Sequence, residues 1–176
     1  MNPDLFLLFD ALALAIAAAA IDVQQYRIPN WLTLPAIGMG ILLRVYFFGW
    51  HGLLTSVSGC LLAGGIVFLF YAVRAMGAGD VKLLAALGSI VGPHYAVLIL
   101  LATAIAGGVL ALVYVIYRGR IRSTFANLGS VVKFHVQGGV QAHPEVNLDN
   151  PEALRMPYGL AIAAGALYTF VTAWWR

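Results

Sequence analysis

The stretch MGAGDVK, residues 76–82, places two glycines and an aspartate, Asp80, at the start of an apolar run. Glycines interrupt apolar periodicity, so this stretch separates two predicted helices. An ionisable group at the end of a membrane-spanning segment is costly, which makes Asp80 a functional candidate. A second carboxylate, Asp22, closes the first apolar run of the chain.

The composition around this stretch is that of a membrane protein. Of 176 residues, 62% are hydrophobic and only 10% are charged. These polar side chains are too few to cover a soluble globule, so the bilayer must supply most of the solvent. The N-terminus lacks the basic region of a signal peptide, and the first apolar run is therefore expected to be retained as a span. We expect one integral membrane domain over residues 1–176.

Six apolar runs follow one another along the chain. A hydrocarbon core of roughly 30 Å takes about 20 helical residues. The sequence therefore predicts an all-α polytopic bundle of about six transmembrane helices, with a cytoplasmic loop at approximately 118–156. The fourth run reaches only about 18 Å at 1.5 Å per residue, so a re-entrant half-span is the alternative there. The runs are 5–21, 31–48, 53–73, 81–91, 95–117 and 158–175.

The basic residues predict the orientation of the bundle. If the N-terminus is outside, most of the basic side chains fall on inner loops, as the positive-inside rule requires. Asp22 and Asp80 then lie at the same, cytoplasmic boundary of the membrane. The inner residues are Arg27, Arg74, Lys82, Arg118, Arg120, Arg122, Lys133 and Arg155, and the outer ones are Arg44 and Arg176.

Two carboxylates at one membrane boundary can perform acid–base chemistry. When held close in a partly desolvated site they cannot both ionise cheaply, so one keeps a proton. The charged member can activate a water and the protonated member can polarise a scissile carbonyl. Gly77 and Gly79 would allow a substrate strand to approach Asp80. Taken singly, Asp80 could instead be a helix N-cap, and Asp22 could simply mark the membrane interface.

Three motifs together resemble a known family. They are Asp22 followed by RIPN at 27–30, which includes Pro29 and Asn30, then GAGDVKL at 77–83, and then Pro157-Tyr158-Gly159. In order and spacing they are similar to the signatures of the type IV prepilin peptidases, the Gly-x-Gly-Asp membrane aspartyl proteases of bacteria. The small size resembles the short branch that serves tight-adherence (Flp-type) pili. The resemblance implies that Asp22 and Asp80 are the catalytic pair and that the other motif residues bind substrate or shape the site.

The resemblance also implies the substrate and the setting. Members of this family remove the leader of prepilin or pseudopilin precursors at the cytoplasmic face of the bacterial inner membrane. No cofactor, metal or nucleic acid is expected. Larger members carry paired Cys-x-x-Cys motifs that are associated with N-methylation, whereas this chain begins at a span and has one cysteine, Cys60. That departure narrows the expected chemistry to cleavage.

Several polar residues keep two interpretations. Lys82 lies either near the site or among lipid headgroups, and Tyr158 is either an interface anchor or a supporting group of the site. Asp10 could form a buried ion pair with Arg44 if the first two helices make a hairpin, or Arg44 could snorkel to the surface. Acidic residues of the long loop could attract a basic leader or simply be solvated. These acids are Glu145, Asp149 and Glu152.

Two other classes of function compete with a peptidase. A proton-coupled transporter would use membrane carboxylates as a relay, but both aspartates are predicted at one face and no inverted repeat is evident. A non-catalytic scaffold of a pilus or secretion assembly would tolerate the loss of either aspartate. Precursor processing by aspartate variants separates these classes.

Overall fold

The computed structural model describes residues 2–117 and 156–175, which form four helices and contain no strand. Helix α1 spans Pro3–Gln25, α2 spans Asn30–Ala72, α3 spans Ala78–Tyr117 and α4 spans Gly159–Trp174. The predicted loop at 118–156 lies outside the described residues except for Met156. Helices α1, α2 and α3 are each long and apolar enough to cross a membrane. The all-α fold class is confirmed.

Helix α2 contains a reversal at Gly49. This glycine has φ +59° and ψ −138°, a backbone conformation that side chains with a Cβ rarely adopt. The carbonyl of Arg44 lies against Gly52, so close that a Cβ on Gly52 would overlap it. In a continuous helix residues eight apart are separated by about 12 Å. The contact therefore shows that segment 50–72 folds back on segment 30–48.

Helix α3 reverses in the same way at Gly92, where φ is +77° and Pro93 follows. Asp80 and Ala104 line the same cavity. A straight helix would hold residues 24 positions apart at about 36 Å. Segment 93–117 therefore returns alongside segment 78–91. The two reversals turn four helices into six helical segments, at the separators that the apolar runs predict.

Segment 78–91 forms the centre of the bundle, because most of its side chains from Leu83 onward are buried. Segment 50–72 packs on it through a pair of glycines: Gly59 and Gly88 are so close that a Cβ on either would meet the other's carbonyl oxygen. Small residues allow helices in a membrane to approach in this way. Helix α1 packs chiefly on α3 and α4, and only slightly on α2.

The predicted ion pair between Asp10 and Arg44 is wrong. The Arg44 guanidinium lies 3.9 Å from Asp4 instead. It donates hydrogen bonds to the carbonyls of Ile90, at 2.9 Å, and Val91, so it caps the end of segment 78–91. The prediction assumed a hairpin of α1 and α2, whereas the packing of α1 on α3 and α4 places Asp4 rather than Asp10 level with Arg44.

Candidate active site

Two hydrogen bonds hold Asp22 at the end of α1. Its backbone carbonyl accepts from Tyr26, whose left-handed conformation (φ 51°) ends the helix. Its carboxylate Oδ2 accepts the backbone N–H of Gly159 at 2.8 Å, at the start of α4. A Cβ on Gly159 would lie only 3.0 Å from that oxygen and 3.1 Å from the Cα of Ala19. The glycine therefore lets α4 approach the carboxylate of Asp22, which is only 6% exposed.

Asp80 lies in the first turn of α3. Its Oδ2 accepts the backbone N–H of Gly77 at 3.3 Å, in the manner of a capping box. The interpretation of Asp80 as a helix cap is thus partly right, since one carboxylate oxygen stabilises the start of the helix. No further hydrogen bond to the Asp80 carboxylate occurs within the described part of the chain.

The turn before α2 holds the turn before α3 in place. Ile28 is buried against Gly79, where a Cβ would meet the Ile28 side chain at 3.0 Å. Pro29 is the N-cap of α2, and the next residue, Asn30, accepts a hydrogen bond from Lys82 Nζ at 2.9 Å. Gly79 therefore makes room for the protein's own chain. The hydrogen bond of Lys82 links the start of α2 to the start of α3. Neither sequence interpretation of Lys82 anticipated this role.

Tyr158 lies at the site, immediately before α4. It lines the same cavity as the two aspartates, and its ring packs against Gly107, where a Cβ would come within 2.6 Å of the phenol oxygen. A tyrosine phenol is protonated at neutral pH. The phenol therefore stays neutral and keeps a proton to donate.

Both aspartates open on one cavity of about 850 Å³. Tyr26, Met76, Gly77, Met156 and Tyr158 surround them at its polar end. The remaining wall is apolar and comes from segments 50–72, 78–91 and 93–117. It consists of Ile66, Val67, Phe70, Leu84, Val97, Leu100, Leu101 and Ala104, with Thr103 beside them and Ala75 near the polar end.

The structure brings the three sequence motifs together, although their roles differ from one another. The cavity is lined by Asp22, Asp80, Gly77 and Tyr158. Gly159 does not line it but donates its backbone N–H to the Asp22 carboxylate. The two supporting turns contain or contact Gly79, Pro29, Asn30 and Lys82. Pro157 begins the turn into α4, where its carbonyl accepts a hydrogen bond from the Leu160 N–H. Sequence reasoning missed the apolar wall, because apolar residues facing a cavity look the same in sequence as those facing lipid.

The chain is similar in sequence to known proteins. The family model described as Type IV leader peptidase family matches residues 9–112. Proteins named prepilin leader peptidase/N-methyltransferase are similar: one from Burkholderia pseudomallei is 34% identical over 120 residues, or 65% of this chain and 38% of its own. The corresponding Legionella pneumophila protein is 33% identical over 131 residues, or 70% of this chain and 46% of its own. No solved structure matches the chain.

The fold and the site together define a class of protein, an all-α membrane bundle in which two carboxylates line one cavity. The chain belongs to the type IV leader peptidase family, because the family model covers more than half of its length. It spans well under half the length of the Burkholderia relative and just under half that of the Legionella one.

Proposed function

We propose that this protein is an aspartyl endopeptidase that removes the leader of type IV prepilin-like precursors. The observation that carries the proposal is the shared cavity. Asp22 and Asp80 are 58 positions apart in the sequence, yet both line this cavity. Each uses one oxygen to accept a backbone N–H. Within the described residues the other carboxylate oxygens accept no hydrogen bond, which leaves them for water and substrate. Membership of the family supports this reading.

The chemistry needs only these two side chains and a water molecule. One carboxylate, in its charged form, accepts a proton from the water as it attacks the scissile carbonyl carbon. The other, in its protonated form, donates a hydrogen bond to the carbonyl oxygen and stabilises the developing charge. The proton gained by the first then passes to the amine as the C–N bond breaks. The neutral phenol of Tyr158 can donate a further hydrogen bond within the cavity.

The proposed setting follows the charge distribution. The positive-inside rule favours the cytoplasmic face for the two aspartates, with the N-terminus outside. Membership of the family supports the bacterial inner membrane. The proposed substrates are prepilin or pseudopilin precursors of the Flp type. The relatives are named for an N-methyltransferase activity as well as for a leader peptidase. The proposal covers cleavage alone.

Processing of a precursor by aspartate variants tests the proposal. The full chain is co-expressed with a Flp-type prepilin, and the mature fraction is measured by mobility and by N-terminal sequencing. Asp22→Asn and Asp80→Asn should each slow cleavage by about 10³-fold or more, since general acid–base catalysis contributes about 10²- to 10⁴-fold. Asp4→Asn is the matched control, because Asp4 is a carboxylate at the other end of the bundle.

Each outcome points to one class of function. Normal processing by a folded Asp80→Asn protein would refute the peptidase. Normal processing and normal pilus assembly in both aspartate variants would indicate a scaffold, which tolerates the loss of either aspartate. Proton uptake into vesicles that depends on both aspartates, without any cleavage, would indicate a transporter.

A further inference from the structure

The cavity continues from the aspartates into a groove between segments 50–72 and 93–117. Ile66 and Phe70 form one side of it, and Val97 and Leu101 form the other. These four side chains are 40–59% exposed although they line the cavity. A cavity lined by residues on the outer surface of a bundle is open to that surface. We call the part bounded by these four residues the side groove.

The side groove has the length of about two helical turns. On segment 93–117 its lining extends from Ala104, near the aspartates, back to Val97. Seven residues of helix span about 10 Å. Leu84 of the central segment forms its floor and is 1% exposed. The groove therefore matches an elongated apolar object that lies along the helices.

The charges at the end of the side groove discriminate between possible occupants. Its described lining holds two carboxylates, Asp22 and Asp80, and no basic side chain. A lipid whose acyl chain filled the groove would place its phosphate near these carboxylates, which repel it. A peptide segment has no such cost, and basic residues at its polar end would be attracted. The charge pattern favours a peptide over a phospholipid.

We infer that the side groove binds an apolar helical segment of the substrate protein, which enters sideways from the bilayer. About two turns of that helix fill the groove between Phe70 and Leu101. The peptide bond at its polar end is then presented to the two aspartates. This inference rests on the proposed function and adds to it where and from which direction the substrate binds.

Photo-crosslinking tests the position of the substrate. Benzoylphenylalanine is placed at Phe70 or Leu101, in the groove, and at Leu69 or Ile105 as neighbouring controls. The controls are 64% and 71% exposed and do not line the cavity. The experiment uses the full chain with Asp80→Asn, so that a Flp-type prepilin stays uncleaved. Crosslinks to the prepilin should form from the two groove positions and not from the controls.

A substitution that fills the groove provides a kinetic test. Ala104→Trp places an indole in the lining, whereas Ile105→Trp places it on the lipid-facing side of the same helix. Ala104→Trp should raise the KM for the precursor about tenfold with a smaller change in kcat, which corresponds to about 1.4 kcal/mol of binding. Ile105→Trp should leave both constants unchanged.

The results separate this inference from the proposed function. If the unsubstituted protein cleaves, Asp80→Asn does not, and Ala104→Trp has a normal KM, the peptidase stands and the groove is not its binding site. Crosslinks from Phe70 and Leu101 to lipid or to a second copy of this chain also overturn the inference. If the unsubstituted protein cleaves no precursor, both proposals fail.

Discussion

Charged side chains lie at both ends of segment 78–91 but are paired in different ways. At one end the Arg44 guanidinium donates to two carbonyls and to Thr55 Oγ1, and lies 5.5 Å from the Phe48 ring centre. At the other end, Asp22 and Asp80 each accept one backbone N–H and otherwise face a cavity. The charged group at one end of the segment is therefore bound by several protein groups, whereas each aspartate at the other end accepts a single N–H from the described residues.

This difference shows how a buried charge reveals its role. A charged group that makes several hydrogen bonds to its own protein stabilises the fold. A carboxylate with free lone pairs in a cavity is held at a cost that the rest of the fold must offset. We therefore assign Arg44 to structure and the two aspartates to function.

The largest expected effect is on stability, at the Arg44 end. Arg44→Met removes the donors to Ile90 and Val91 and leaves their carbonyls unpaired at the Gly92 reversal. Leaving buried polar groups unsatisfied costs about 1–3 kcal/mol each, so we expect a loss of about 3 kcal/mol in the free energy of unfolding. Denaturant unfolding of the detergent-solubilised protein measures it. Arg27→Met, at an exposed arginine, is the control and should change stability by less than about 0.5 kcal/mol.

The aspartate variants should show the opposite behaviour, with little change in the free energy of unfolding. Asp22→Asn and Asp80→Asn should leave the free energy of unfolding within about 1 kcal/mol of the original, because each amide oxygen can still accept its backbone N–H. A loss as large as that of Arg44→Met would contradict the division between the two ends.

The next effect is on activity, through the packing of α4 on Asp22. Gly159→Ala would put a methyl group 3.0 Å from Asp22 Oδ2 and displace either the carboxylate or α4. We expect cleavage to slow by about 10- to 100-fold, because small displacements of reacting groups have effects of this size. Initial rates of precursor cleavage measure it.

Gly108→Ala is the control for this prediction, since a Cβ there meets nothing within 4 Å. It should retain full activity and be slightly more stable, because alanine favours helix. Equal rates for the two alanine variants would show that the approach of α4 does not position Asp22.

The smallest effect concerns the bridge between the two supporting turns. Lys82→Ala and Asn30→Ala each remove one partner of a single exposed hydrogen bond. A double-mutant cycle should give a coupling energy of about 0.5–1 kcal/mol in unfolding, the usual net contribution of such a bond. A coupling energy near zero would mean that the bridge does not hold the turns together.

Local sequence signals predicted the helical segments and their boundaries well. The reversals occur at Gly49 and Gly92, within the predicted separators. Sequence signals find them because a backbone with positive φ favours glycine at that position. The same signals failed for Arg44, whose partner depends on which helices pack side by side. They also left the role of Lys82 open, since its hydrogen bond joins residues 52 positions apart.

The amino-acid sequence by itself determined a helical membrane protein, its breaks, its family motifs and Asp22 and Asp80 as candidates. These follow from composition, from glycine and proline positions and from short motifs. Only the tertiary structure decided that the Asp22 carboxylate is held by the start of α4 and that an apolar groove leads to both aspartates. Those features depend on contacts between distant segments, and an apolar side chain carries no local mark that distinguishes a groove from the lipid surface.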